Sequence, residues 1–361
     1  MRLLYANLDF SSVTGALNRQ IVGAFRQTAI KLELLDFVRL THSAAERLRQ
    51  QHPTWPPAEI MLQAKTQVAM SLCEATKGER GSWLMFLNGR YLPSEVIAKL
   101  KENGLKIADW ELDDPYCVDA SLRVSAYCDA LFTVDSAAVE LHRANSCPTV
   151  VHLPLAYSPL LDDPAPPADQ YLSDICFIGT PFRGSHRLRW IDQAAGTLAR
   201  YRLKLIGSNL YSESWRENLP SYELLKGFIR EESLPLDETV KFMRGAAINL
   251  NLHRDSYGQS VDRNERRIIA RSPNERTFLL AGLGAFQLID DTRPDLAACY
   301  ELGREVVTFR SAAELEEKIL YYLAHEAERK AIAAAARQRT LAEHTYGHRV
   351  GKIIEVISGL Q

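Results

Sequence analysis

The stretch from Ser272 to Asp290, SPNERTFLLAGLGAFQLID, carries the most chemistry per residue in the chain. Ser272 is a helix-capping residue type, Pro273 suits a first helical turn, and Glu275 stands three residues after the cap. The spacing therefore predicts a short helix whose first N–H groups form an ordered positive end, and such an end attracts phosphate. Arg271 and Arg276 add planar guanidinium forks able to hold a diphosphate. Asn274, Glu275 and Thr277 lie in the same opening turns and join them as candidate ligand contacts. Gly282 and Gly284 follow, where a backbone without Cβ can pass close to a ligand or a neighbouring strand. The same residues also read as an ordinary capped helix running into a buried strand.

Other candidates stand where short apolar runs end. Gly179, Thr180 and Pro181 close the run ICFIG and precede Arg183, Gly184 and a helix expected from Ser185, where Arg183 can pair with phosphate. Gly207 and Ser208 follow RLKLIG at the equivalent place. Asn251 and His253 alternate along INLNLH, so they share one face of a strand, and His253 at its end can donate to a phosphate or a sugar. The loop from Arg254 to Arg271 brings Arg263, Arg266 and Arg267 to an anion, or else is a solvated run balanced by Asp255, Asp262 and Glu265. In the first half, Asp113 and Asp114 follow GLKIADW, and a carboxylate at a strand end can act as general base on a hydroxyl. That role falls to Asp113. Asp114 reads as the cap of a helix opening at Pro115, with a place in the same pocket. Asp9 after the first run, and Asn88 and Arg90 after the third, share this position. His344 and His348 are four apart but have no third ligand nearby, so they read as a polar surface pair and no metal site is expected.

These side chains need elements to hold them. The runs LLYANL, LELLDF, WLMFL, GLKIADW, ALFTV and TVVHL, then ICFIG, RLKLIG, AAINLNL, AFQLID and EVVTF, alternate with amphipathic stretches. That alternation predicts α/β architecture with doubly wound parallel sheets. It pauses between Pro154 and Tyr171, which hold five of the sixteen prolines. Two α/β domains follow from this: residues 1–160, residues 161–340, and a last segment 341–361 expected to pack back toward the first domain. Ligands are expected in a cleft at the carboxyl ends of the strands. In the C-terminal part, Ser311 and Glu314 form an S-x-x-E cap ahead of Leu315, Ile319 and Tyr322 at helical spacing. With 46% hydrophobic and 24% charged residues and a net charge of −2, the chain lacks the basic footprint of a nucleic-acid binder. It has no apolar run of membrane-spanning length, and its six cysteines show no CxxC pairing. The expectation is a cytoplasmic protein with reduced thiols.

From about Leu105 onward the segments resemble the CgeB-like family of glycosyltransferases. The matching pieces are DWELDDPY at Asp109, CDALFTVD at Cys128, VHLPLAYSP at Val151, SDICFIGT at Ser173, INLNLH at Ile248, NERTFLLAGLGAFQLID at Asn274 and EHTYGHR at Glu343. Their order and spacing carry the likeness. The resemblance implies the GT-B fold, two Rossmann-like domains about a cleft. It implies a nucleotide-diphosphate sugar held mainly by the C-terminal domain and a glycan, glycoprotein or small-molecule acceptor held mainly by the N-terminal one. No cofactor and no essential metal are implied. On this reading Arg276 and Asp113 are catalytic. Gly179, Thr180, Arg183, Gly207, Ser208, Asn251, His253, Arg271, Asn274, Glu275, Thr277 and Gly284 bind the donor, and Asp9, Asn88, Arg90 and Asp114 bind the acceptor. The family commonly shows R-x-F-E, whose carboxylate can accept from the donor's ribose, whereas this chain reads Arg276-Thr277-Phe278-Leu279. Glu275, one helical turn earlier, is the substitute on offer, beside its capping role. A nucleotide-sugar epimerase or hydrolase, and a catalytically silent binding module, are the alternatives on the same fold.

Overall fold

The computed structural model describes residues 2–9, 12–207, 213–259 and 261–360. The chain divides into two compact units: Met1–Leu153 with Arg263–Ile268 and Arg349–Gln361, and Pro154–Asp262 with Ile269–His348. The division falls where the proline-rich stretch begins. Ser208 lies outside the described residues.

The first unit is built on a parallel sheet of β1 (Arg2–Asn7), β2 (Lys31–Leu35), β3 (Trp83–Leu87), β4 (Lys106–Glu111), β5 (Ala130–Thr133) and β6 (Val150–His152), in the order β2-β1-β3-β4-β5-β6. Every residue of β3 is fully buried, as a strand covered on both faces must be. Leu4, Leu84, Phe86, Ile107 and Leu131 form the centre of one apolar cluster. The order reverses between β1 and β3. In open parallel sheets that reversal leaves a crevice at the carboxyl ends of the two strands.

The second unit repeats the plan with β7 (Ser173–Ile178), β8 (Leu203–Ile206), β9 (Ile229–Arg230), β10 (Ala246–Asn251), β11 (Gln287–Asp290) and β12 (Val307–Phe309), ordered β12-β11-β10-β7-β8-β9. Its reversal lies between β7 and β10, which pair in parallel through Ile175 and Ile248. The helix Glu275–Gly282 runs from the rim of this sheet into β11. Gly284 ends it with a positive φ of 67°, a conformation suited to glycine. At Gly282 a Cβ would stand 2.1 Å from the Tyr157 ring, so only glycine fits there. The eleven apolar runs expected as strands all form strands. β9, two residues long, was not foreseen because so short a stretch has no period to read.

Candidate functional site

In the second unit, β7 delivers Gly179 and β10 delivers His253 to the two sides of the reversal point. Arg276, in the first turn of the helix between β10 and β11, reaches back over this rim. Its Nη1 lies 3.5 Å from Asn251 Oδ1 and 3.4 Å from the Leu252 carbonyl, and its guanidinium sits 5.7 Å from the Phe177 ring centre. No carboxylate lies within ion-pair distance of it among the described residues. Burial accordingly holds the Arg276 guanidinium below its ordinary range, partly countered by Glu275. A second arginine comes to the same place. A Cβ on Gly179 would stand 3.2 Å from Arg276 Nη2 and 3.3 Å from Arg187 Nη1, so both guanidiniums close on one glycine. Arg187, buried in the first turn of the His186–Gln193 helix, also donates to the Thr180 carbonyl at 3.1 Å. The sequence reading missed Arg187. Its signal was position alone: the first turn of the helix that follows the β7 rim.

The polar groups around the arginines fix the helix N-terminus. Asn274, not Ser272, is the cap: its Oδ1 accepts from Thr277 N at 3.0 Å, while Ser272 donates to Asp295 at 2.8 Å. The cap expected at Ser272 is thus displaced by two residues, to Asn274, whose φ of −71° and ψ of 166° are extended. Glu275 becomes the first helical residue. Asn251 is fully buried, donating to Thr277 Oγ1 and Gln287 Oε1 and accepting from Asn274 Nδ2. His253 is buried too. Its Nε2 accepts from Asn274 N at 3.3 Å and its Nδ1 faces Asp290 Oδ2 at 3.2 Å, which assigns the proton to Nδ1. Burial holds His253 below its usual range. Burial opposes ionisation of Asp290, but His253 and Thr292 outweigh it and keep that carboxyl well down.

Several sequence expectations change here. Thr277 is fully buried with its hydroxyl engaged, and His253 has no hydrogen to offer a ligand from Nε2, so both position the helix rather than meet a donor. Gly284 stands at the opposite end of the helix from Asn274 and serves the turn into β11. Gly207 packs: a Cβ would lie 2.1 Å from the Gly179 carbonyl oxygen. Arg183 has a 76% exposed side chain and donates to Asn218, while exposed Arg271 lies 3.6 Å from Asp295. The basic loop does not act as one patch. Arg254 pairs with Asp262, whereas Arg266 pairs with Asp119 inside the first unit at 2.8 Å. Leu279 is buried with Tyr157, Met243 and Ala285. Glu275 makes no hydrogen bond among the described residues, and burial pushes its carboxyl up to about 7.

The first unit presents its own rim at the β1–β3 reversal. Asp9 accepts from Thr14 at 2.7 Å and from Asn88 Nδ2 at 3.2 Å, so the two residues after β1 and β3 meet. Asn88, in the left-handed region at φ 62°, turns the chain so that Gly89 N donates to Asp109 and Arg90 N to Glu111, each at 2.8–2.9 Å. Asp109, Glu111 and Asp113 follow one another at every second residue, and the Asn88–Arg90 turn hangs from them. Arg90 Nη1 and Nη2 bond Glu111 and Asp113. Burial works against the Arg90 charge, yet the two carboxylates raise its pKa well above normal. Burial and the neighbouring Glu111 push Asp109 well above the carboxylate range. At Gly89 a Cβ would stand 2.5 Å from Asp109 Oδ2, which requires glycine. Asp113 remains 43% exposed and its Oδ1 makes no hydrogen bond among the described residues.

Asp114 is not a cap. It is buried beside a cis bond to Pro115, the next helix opens at Val118 after Cys117, and its carboxylate accepts from Ser121 at 2.7 Å and Thr133 at 2.9 Å. Burial opposes the charge, but these bonds and His142 at 2.8 Å keep Asp114 below its usual range. It anchors the loop that carries Asp113. His344 is likewise no surface residue: it packs 5.3 Å from the Phe278 and Tyr300 rings, and its Nε2 bonds the Cys299 carbonyl. No group of three or more His, Cys, Asp or Glu able to hold a metal occurs among the described residues.

Comparison with known proteins bears on the fold and the family. Residues 186–355 match the family model described as glycosyl transferase-like. The spore protein CgeB of Bacillus subtilis (strain 168) is 26% identical over 297 residues, spanning 82% of this chain and 88% of the relative. Among solved structures, sucrose-phosphate synthase from Thermosynechococcus elongatus superposes with a TM-score of 0.68 at 11% identity over the full length of both chains. Anabaena Alr3699/HepE, determined in complex with UDP-glucose, gives 0.62 at 10% identity over 99% of this chain and 100% of that one. Fold and matches together define a glycosyltransferase of the GT-B class. Within that class the chain is CgeB-like, as its motif order implied. The epimerase or hydrolase and silent-module alternatives are not favoured.

Proposed function

We propose that the protein moves a sugar from a nucleoside-diphosphate donor, bound at the Gly179–Arg276 rim of the second unit, to a hydroxyl acceptor bound at the Asp9–Asp113 rim of the first. The observation that carries this reading is the guanidinium pair. Arg187 and Arg276 close on one glycine at the reversal point of the sheet, beside an asparagine-capped helix N-terminus. Two guanidiniums brought to one glycine favour an anion with two negative groups, which a diphosphate supplies. The Anabaena relative's complex with UDP-glucose supports the donor class. In the transfer, the bond from the anomeric carbon to the diphosphate breaks and the diphosphate leaves with the electron pair. The acceptor oxygen bonds that carbon and its proton passes to Asp113, whose other oxygen Arg90 holds in place. The arginines and helix end stabilise the leaving diphosphate, so no metal is required by this reading. All six cysteines are free and no described helix is long and apolar enough to cross a membrane, which suits the proposed cytoplasmic setting.

The test is thermal unfolding against nucleoside diphosphates and their sugar conjugates in the presence of EDTA. A ligand at 100 times its Kd adds about 2.7 kcal/mol and a visible shift. We expect a shift with one diphosphate family, lost in Arg276→Ala, whose turnover should fall about 10² to 10³-fold while its fold is kept. No shift with any diphosphate, or an unchanged turnover in folded Arg276→Ala, would overturn the reading.

A further inference from the structure

A second pocket opens in the same unit and shares no lining residue with the donor rim. Along β8 the side chains alternate: Leu203 and Leu205 enter the large apolar cluster around Trp215, while Ile206 packs with Cys176 and Phe242 on the other face. Lys204 points to that other face, within 5.3 Å of the Phe242 ring centre. The helix Leu236–Gly245, which supplies Phe242, packs on β7, on the turn Asp169–Tyr171 and on β10. Beside it, over β8 and the edge strand β9, lies a cavity of about 560 Å³ lined by Tyr171, Lys204, Phe228, Arg230, Glu238 and Phe242 among others. That volume falls within the range of small-molecule sites, roughly 300–1,000 Å³.

The lining selects the ligand. Tyr171 meets Phe242 edge to face at 4.9 Å, giving an aromatic wall. Arg230 flanks the same ring at 5.4 Å, but its charge is answered by Glu232 and by Glu238 at 3.1 Å. Lys204 has no carboxylate within ion-pair distance among the described residues. The charges of Lys204, Arg230, Glu232 and Glu238 sum to zero, and Lys204 is the one of the four that stands outside an ion pair among the described residues, its part-buried ammonium against the Phe242 face. We infer that this pocket binds a small organic anion: a ring-sized apolar body against Phe242 and Tyr171, and one phosphate or carboxylate on Lys204. The site is independent of the donor reading, because no diphosphate and no residue of the transfer chemistry enters it.

Phenyl phosphate is the probe, with benzyl alcohol as its neutral counterpart, titrated calorimetrically into wild type, Lys204→Gln, Phe242→Leu and Arg276→Ala. Phenyl phosphate should bind wild type and Arg276→Ala alike. Lys204→Gln should weaken it about tenfold or more, the scale of one charge-assisted hydrogen bond, and benzyl alcohol should bind wild type more weakly by a similar factor. Lys204 is half-exposed, so its substitution tests the site even where Phe242→Leu fails to fold. Absence of binding in the millimolar range, binding unchanged by Lys204→Gln, or binding lost in Arg276→Ala would each overturn the inference, the last by assigning the probe to the donor rim.

Discussion

Glu275 and Arg276 are neighbours that burial drives in the same direction, each toward its uncharged form. Under the proposed function, a nucleoside diphosphate at this rim needs the arginine charged and would itself supply the counter-charge. Glu275 has a measurable consequence in the free protein. Its folded-state pKa of about 7 exceeds the ordinary glutamate value of 4.5, so the folded state binds the extra proton and stability falls as pH rises between these two values. Glu275→Gln removes that proton linkage. Its melting temperature should gain on wild type from pH 5 to pH 8, read by thermal unfolding across that range; a constant difference would show that the carboxyl titrates normally. At this scale the sequence was only partly legible. Arg276 and Asp113 stand out as candidates by type and place, but Asn274 and Ser272 are equally good caps by type, and only the structure decides between them. Arg187 was invisible because an arginine in a helix's first turn has no motif; what singles it out is its approach to Gly179.

The elements were far easier to read than the residues they carry. Strands such as β3 and β7, buried on both faces, leave near-continuous apolar runs that no surface segment imitates. The Ser311 cap was legible for the opposite reason: its partner is local, and Glu314 N indeed lies 3.1 Å from Ser311 Oγ. Long-range partners left no such trace. Gly207 looked like a ligand contact, yet its want of a side chain is set by the Gly179 carbonyl, 28 residues earlier in the chain. Gly207→Ala should therefore push the ends of β7 and β8 apart. The expected cost is about 1–3 kcal/mol of stability, measured by denaturant unfolding, together with weaker diphosphate binding as Gly179 shifts beneath its two arginines. Full stability in this variant would show that the strand ends can part freely.

For the whole molecule, the point least available to sequence reasoning was that neither unit is one continuous piece of chain. The boundary near Pro154 could be seen from its prolines, but nothing local in Arg263–Ile268 announces that it belongs with the first unit, where Arg263 N donates to the Tyr116 carbonyl at 2.8 Å. Arg349–Gln361 also belongs there, and it places Val350, Ile353 and Ile357 out of solvent. Each such side chain contributes about 1.5–3 kcal/mol, so removing residues 349–361 should cost an amount comparable to a domain's entire stability. Limited proteolysis of the truncated protein should cut within 1–153 and spare the second unit's sheet; equal resistance throughout would contradict this. The interleaving also orders events during synthesis. The β1–β6 sheet leaves the ribosome first, but its closing segment is translated only after every residue of the second unit, so the domain that begins first is the last that can finish. For that interval the nascent chain carries a first unit that lacks its closing segment and a second unit that lacks nothing, and it is the first unit that depends on protection until residues 349–361 emerge.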